Sequence, residues 1–514
     1  MSAADVTRRG LLGAGAVLIA SPALATAGDP RVGRYTGLRE HGVIAFKGIR
    51  YGRAARFERA VGEPWQGPKL TAQSFAPVAP QRGSQDYAQS EDCLFLNVWT
   101  PDANPKAGRA VMVYFHGGAY ANGTVTDPLT HGHTLAAAGD VVVVTINHRL
   151  NAFGYAWLKP FGARFADSGN LGQLDIILGL QWVRDHIREF GGDPGRVMVF
   201  GQSGGGAKIA TLMAMPAAKG LFHSAATMSG QQVTASGPIN AWARTRALMA
   251  AMGLAADDVE GLRTAPSERI LEALTATDPV IGGSLYFGPV LDMTNLSRHP
   301  FWPDAAPQSL GIPMILGNTR DETRSFIDPR GPKLRGLNWD NLAARIMPEV
   351  KIDLDIDWVV AQYRAQYPDW TAEQIFYAAT TAGRSWPGQV IEADARALAG
   401  ARDTWVYQLD RPSPIDPLRG AAHTDDIPYV FGTLDAPGSM SGVDEAARRT
   451  RNVMMQAFTG LAKTGAPGLA DWQAYALPDR ATLVVGDGSA ATINDPRGFE
   501  RQLWATAPYI QPGS

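Results

Sequence analysis

The stretch from Arg196 to Lys208, R-V-M-V-F-G-Q-S-G-G-G-A-K, constrains the fold more tightly than any other part of this chain. It opens on Val197-Met198-Val199-Phe200, a short apolar run of strand formers, as expected of a strand buried on both faces. Gly201-Gln202-Ser203-Gly204-Gly205 follows, and then a helix-compatible segment from Ala207 to Met213. Strand, sharp turn and helix form the setting in which G-x-S-x-G becomes a nucleophile elbow. So tight a turn leaves little room for neighbouring Cβ atoms, so the positions around the serine must be small. The turn lifts the hydroxyl clear of the sheet and aims the next N–H groups at incoming negative charge. A glycine-rich surface loop that carries serine by chance would have no reason to sit between such a strand and such a helix.

The rest of the chain repeats the pattern. Strand-like runs occur at Gly42–Tyr51, Leu94–Thr100, Ala110–Phe115 and Val141–Asn147, and again at Ala225–Met228, Pro313–Leu316, Thr404–Tyr407 and Thr482–Val485. Helical periodicity separates most of them, clearest over 170–190, where Leu171, Leu174, Ile177, Leu178 and Trp182 share a face. Such alternation predicts an α/β fold with a large, mostly parallel central sheet flanked by helices. Residues from about 334 to 398 lack strand signals and read as a helical, cap-like insertion beside the sheet. With 514 residues there is material for a large core, and residues 28–514 read as a single catalytic domain.

The formal net charge of −2 gives no global field for nucleic acid or an anionic membrane. The N-terminus reads as a twin-arginine export signal over residues 1–27: Arg8-Arg9, an apolar run from Leu11 to Ala20, and A-x-A sites ending at Ala25 and Ala27. That run is too short to span a bilayer, so removal of the segment would leave no stable membrane anchor and a periplasmic or secreted protein. Cys93 is the single cysteine. It cannot form an internal disulfide, and its apolar neighbours predict a buried, inert thiol.

A serine hydroxyl is a weak nucleophile near neutrality and needs a base, which in turn needs an orienting acid. In the elbow architecture the chain order is Ser, then Asp or Glu, then His. Of nine histidines, only His223, His299 and His423 follow Ser203. His423 lies in a small-residue loop beyond the Thr404–Tyr407 strand, where a catalytic group belongs. The acid should follow an intervening strand, and Asp321 and Glu322 both do so, beyond Pro313–Leu316. Either choice leaves His423 as the only histidine downstream. His116-Gly117-Gly118-Ala119 after a buried strand is an oxyanion-type loop. With the N–H of Gly204 it can supply two or three donors, each worth about 2.7–4 kcal/mol of transition-state stabilisation. The His116 ring reads as a support for that loop.

EDCLFLNVWTP, FHGGAY, NLGQLDIILGLQWVRDHIREFGGDP, FGQSGGG, GNTRDE and AAHTDDIPYVFG occur in this order. Together they resemble the type-B carboxylesterases, the α/β-hydrolase family that includes the cholinesterases and many bacterial esterases. The resemblance runs from about Gly37 to the C-terminal region. It implies Ser203 as nucleophile, Glu322 rather than Asp321 as acid, and His423 as base. It implies oxyanion donors at Gly118, Ala119 and Gly204, with Gly117 shaping the loop, and a structural ion pair between the Glu91/Asp92 segment and Arg149. The chain departs from the family at Cys93, which lacks its usual partner. It departs also at Gln202, where Glu is common, at Gly204, where Ala is common, and at Ala119, where glycine is usual.

The expected protein is an exported serine carboxylesterase that works through an acyl-enzyme on small-molecule esters, without cofactor or metal. The same machinery could act on carbamates or amides, and the family also contains adhesion proteins that have lost catalysis. Tyr120, Tyr286, Phe287, Trp302, Phe326 and Trp386 lie near the site motifs or in the insertion. Some of them lining an apolar gorge would favour hydrophobic or bulky esters, although at least half should be core.

Overall fold

The computed structural model describes residues 29–83, 87–350, 352–511 and 513. The expected signal over 1–27 lies outside the described residues. Among those residues, eleven strands form the main sheet. They are β1 (Leu38–Glu40), β2 (Val43–Arg50), β3 (Phe95–Thr100), β4 (Arg109–Phe115), β5 (Val142–Ile146), β6 (Gly192–Gln202), β7 (Ser224–Met228), β8 (Met314–Thr319), β9 (Thr404–Leu409), β10 (Ala481–Val485) and β11 (Ala490–Asn494).

Their order across the sheet is β11-β10-β9-β8-β7-β6-β4-β5-β3-β2-β1. From β5 to β10 every neighbouring pair is parallel. Antiparallel strands close both margins. Every residue of β5, β7, β8 and β9 is buried, because helices cover both faces of a parallel sheet. The two faces divide β4 by alternation. Val111, Val113 and Phe115 enter one apolar core, and Ala110, Met112 and Tyr114 the other.

The chain leaves β4 for β5 on one side and returns to β6 on the other. The carboxyl ends of β4 and β6 therefore meet where the strand order reverses, the place at which open α/β sheets build their sites. Within the expected insertion, helices span Leu342–Ile346, Ile356–Gln366, Ala372–Arg384 and Trp386–Leu398. Thr371 and Gln374 close a reciprocal capping box at the start of the third. This unit has its own apolar core, including Ile346, Val359, Tyr363, Ile375 and Trp504. It packs against the turn that follows β8, where Thr323 bonds Thr380 at 2.8 Å and Thr381 at 3.1 Å. No helix among the described residues is long and apolar enough to cross a membrane.

One expectation is corrected. Arg149 does not pair with the Glu91/Asp92 segment. Its guanidinium and backbone N–H both engage Asp175, the side chains at 2.7 and 2.8 Å. Glu91 pairs with Arg56 and Asp92 with Arg50. The physical reason is burial. Asp175 lies inside the Leu171–His186 helix at 0% exposure and needs a cation there, and losing one partner of such a pair costs about 3–5 kcal/mol. Cys93 is buried and free, and burial pushes its thiol well above the usual range.

Candidate active site

Ser203 stands between β6 and the helix Gly204–Leu212 with φ +55° and ψ −124°, a region L-residues avoid at a cost of about 1–3 kcal/mol. Close approaches on every side hold it there. A Cβ on Gly201 would lie 2.6 Å from the Gly205 backbone. One on Gly205 would lie 1.9 Å from the Phe115 carbonyl oxygen, and one on Gly230 1.9 Å from that of Ser203. The Ser203 N–H donates to the Met228 carbonyl on neighbouring β7 at 2.7 Å. Glycine is needed at these positions for space.

Glu322 opens a short 3-10 turn after β8 and is 2% exposed. One carboxylate oxygen, Oε2, meets His423 Nδ1. The other, Oε1, accepts from Ser229 Oγ at 2.5 Å, the Thr319 N–H at 2.8 Å and Asn318 Nδ2 at 3.2 Å. Burial opposes ionisation of Glu322. The charge of His423 and the bonds from His423, Ser229 and Thr319 outweigh it and hold the carboxyl below the usual range. Asp321, the alternative acid, faces away toward Arg320 and the Ala421 N–H. Of the two, the structure brings only Glu322 to His423.

His423 follows β9 on a loop laced to the Glu322 turn. Asp321 N–H donates to the Ala421 carbonyl at 2.8 Å, and Ser325 Oγ to the His423 carbonyl at 2.7 Å. An ionised Glu322 accepts the Nδ1 proton, which leaves Nε2 as an acceptor. That nitrogen receives the Gln202 carboxamide at 3.0 Å. The half-buried Ser203 hydroxyl makes no hydrogen bond among the described residues. Two further carboxyls adjoin the His423 loop. Burial raises Asp425 to about 6 against the pull of Arg419, and raises Asp426 to about 7 against its bond from Tyr407.

The loop after β4 lies over the elbow. A Cβ on Gly117 would come 3.3 Å from Ser203 Cβ, and one on Gly204 only 2.0 Å from the Ala119 carbonyl oxygen. Gly118 and Ala119 both take positive φ, +79° and +54°. This turns the chain so that their N–H groups, like that of Gly204, have no acceptor among the described residues. His116 Nδ1 bonds the Gly117 carbonyl at 3.0 Å, and its ring stacks on His148. His116 thus braces the loop from within the core.

Of the six aromatic candidates, Tyr120, Phe287 and Trp386 are buried. Tyr286 packs edge-on against Tyr120, and Trp302 edge-on against His299. Phe326 is 48% exposed, and its ring centre lies 5.0 Å from that of His423. Sequence reading does not single out Ser229 or Lys208, yet both bond groups of the site. Neither carried a local signal: the enclosure of the Gly204–Leu212 helix around Lys208 shows only in the fold.

A serine on a strained elbow and a glycine-rich loop over it on adjacent parallel strands, with a carboxylate and a histidine from later strand ends, are the arrangement of an α/β hydrolase. A model of the carboxylesterase family matches residues 22–495. The chain is 33% identical to the para-nitrobenzyl esterase of Bacillus subtilis (strain 168), across 91% of this chain and 96% of that protein. It is 32% identical to the phenmedipham hydrolase of Pseudarthrobacter oxydans, again across 91% of this chain and 96% of that protein. The crystal structure of a Geobacillus stearothermophilus carboxylesterase superposes with a TM-score of 0.80 at 34% identity, covering 91% of this chain and 98% of that one. The chain belongs to the carboxylesterase family and is a carboxylic ester hydrolase.

Proposed function

We propose that this protein is an exported serine esterase in which Ser203 is the nucleophile, His423 the base and Glu322 the acid. The bonding of the Glu322 carboxylate to His423 Nδ1, beside a serine on a strained elbow, carries this reading. For reaction, His423 Nε2 exchanges the Gln202 carboxamide for the Ser203 hydroxyl. It takes the hydroxyl proton as Oγ attacks the ester carbonyl. Glu322 fixes the reactive tautomer and stabilises the imidazolium. The N–H groups of Gly118, Ala119 and Gly204 receive the oxyanion, with Gly117 shaping the loop. The imidazolium then protonates the leaving alcohol, and water releases the acid by the reverse sequence.

Ser203→Ala should lower kcat by about a million-fold. A fluorophosphonate should label Ser203, which separates an esterase from a non-catalytic member of the fold. Near-normal ester turnover by the alanine variant would refute the assignment.

The substrate side is aromatic or bulky. Phe326, exposed beside His423, and the kinship with an enzyme named for para-nitrobenzyl esters support this. A panel of esters graded in acyl length and alcohol bulk should show highest kcat/KM for aryl or bulky alcohols, and turnover of short straight-chain esters alone would reject it. Residues 28–514 act as one catalytic domain after a signal over 1–27, cut after Ala25 or Ala27. Export that persists when Arg8 and Arg9 are both replaced by lysine would exclude the twin-arginine route.

A further inference from the structure

Lys208 is a charge beside the site that the hydrolytic scheme leaves unused. It lies on the Gly204–Leu212 helix that follows Ser203, every residue of which is buried, and is itself 0% exposed. Its Nζ reaches beneath the oxyanion loop and donates to the carbonyl oxygens of His116 at 3.0 Å and Ala119 at 2.9 Å. Those two carbonyls bracket Gly117 and Gly118. The ammonium also lies 5.6 Å from the centre of the Tyr120 ring, within cation–π range.

An ammonium in so dry a place costs several kcal/mol unless something compensates it. Among the described residues no carboxylate bonds to Nζ. The titratable groups that face it are His116 from the loop after β4, His148 from the loop after β5, and Tyr120. Burial first, and then the charge of Lys208, lower His116 to about 3. Burial, Lys208 and His116 take His148 well below its ordinary range. Burial raises the Tyr120 phenol far above neutrality. All three are therefore uncharged at working pH, and the buried Arg149 and Asp175 pair with each other. Burial brings Lys208 down to about 7. A tether for two carbonyls needs only a neutral donor, which would avoid the cost of burying a charge.

We infer that Lys208 is an electrostatic positioning residue for the oxyanion hole: its ammonium ties down the His116 and Ala119 carbonyls and, one peptide layer behind the donors, its charge favours the tetrahedral oxyanion over the uncharged ester. This deepens the serine-esterase reading and rests on it. When Ser203 Oγ bonds to a carbonyl carbon, the π pair moves to oxygen and the serine proton passes to His423 Nε2, so no proton enters or leaves the protein. A new anion above the loop raises the proton affinity of Lys208. Enzyme whose Lys208 is neutral then draws one proton from solvent.

The test is calorimetric binding of an aryl trifluoromethyl ketone to the full-length enzyme at about pH 8.5, in buffers of different ionisation heat. Wild type should take up a substantial fraction of one proton. Lys208→Met should lose that uptake. It should weaken ketone binding and lower kcat by a common factor of about ten or more, less than the about 10²–10³ for losing a donor itself, with KM little changed. The alkaline fall in kcat, expected in wild type as Lys208 loses its proton, should be missing from the variant. Ketone binding by wild type without proton uptake would overturn the inference, as would uptake retained by the methionine variant. If that variant does not fold, the wild-type measurement decides. Failure of both ketone binding and fluorophosphonate labelling at Ser203 would instead overturn the serine-esterase reading.

Discussion

The two sides of Ser203 are built from opposite materials. On the histidine side lie three buried carboxyls, those of Glu322, Asp425 and Asp426, and the first is kept ionised by hydrogen bonds from Ser229, Thr319 and Asn318 as well as by His423. On the other side no carboxylate among the described residues bonds the loop after β4. Its backbone is braced by His116 and tied by the buried Lys208 amino group. The polarity follows the charges that develop during acyl transfer. In the proposed reaction the imidazolium would form where the carboxylate waits, and the oxyanion where the N–H groups and Lys208 wait. What differs is the means of placement. Side-chain hydrogen bonds hold the negative side. Backbone conformation at positive φ holds the positive side, and a side chain reinforces it from below.

If this division is right, the two sides should fail differently. The largest effect is expected from Glu322→Gln, which keeps the shape and removes the charge. It should lower kcat by about 10⁴ with little change in KM, because the wrong imidazole tautomer is then favoured. Steady-state kinetics checks this, and a loss under about tenfold would mean that Glu322 is not the orienting acid. Gly204→Ala should come next. Its methyl would meet the Ala119 carbonyl at 2.0 Å, so the loop must move and kcat should fall by about 10²–10³. Unchanged kcat would show that the loop relaxes freely, and the rigid-backbone account of this side would fail. Gln202→Glu should have the smallest effect on maximal rate. A carboxylate at 202 favours the imidazolium, so the ascending limb of kcat/KM should move to higher pH. A superimposable profile would show that charge at position 202 does not reach His423.

The sheet was legible because its central strands are continuous apolar runs, from Val142–Ile146 to Thr404–Leu409, and burial on both faces forces that composition. The elbow was legible because sterics demand its glycines. The choice between Asp321 and Glu322 was not available from the residues themselves. Neighbours in a turn point in different directions, and only the fold sends Glu322 inward and Asp321 toward Arg320. The family resemblance pointed to the carboxylate that the fold brings to His423, and to the wrong partner for Arg149. That guanidinium answers a buried Asp175 on a helix whose apolar periodicity hides the need for a cation. Lys208 was opaque for a related reason. Lysine in a helix ordinarily reads as a solvent-facing residue, and nothing local shows that this helix is enclosed.

The contacts around Gly201, Gly204, Gly205 and Gly230 bear on how this enzyme could be remodelled. Each of these positions faces backbone where a Cβ would have to stand, and backbone cannot rotate away as a side chain can. Random mutagenesis spread evenly over the pocket would therefore spend much of its diversity on misassembled variants. Phe326, which has an exposed ring beside His423 and no part in holding the elbow, is a position where a library can change the shape of the accepted ester while the reactive centre stays intact.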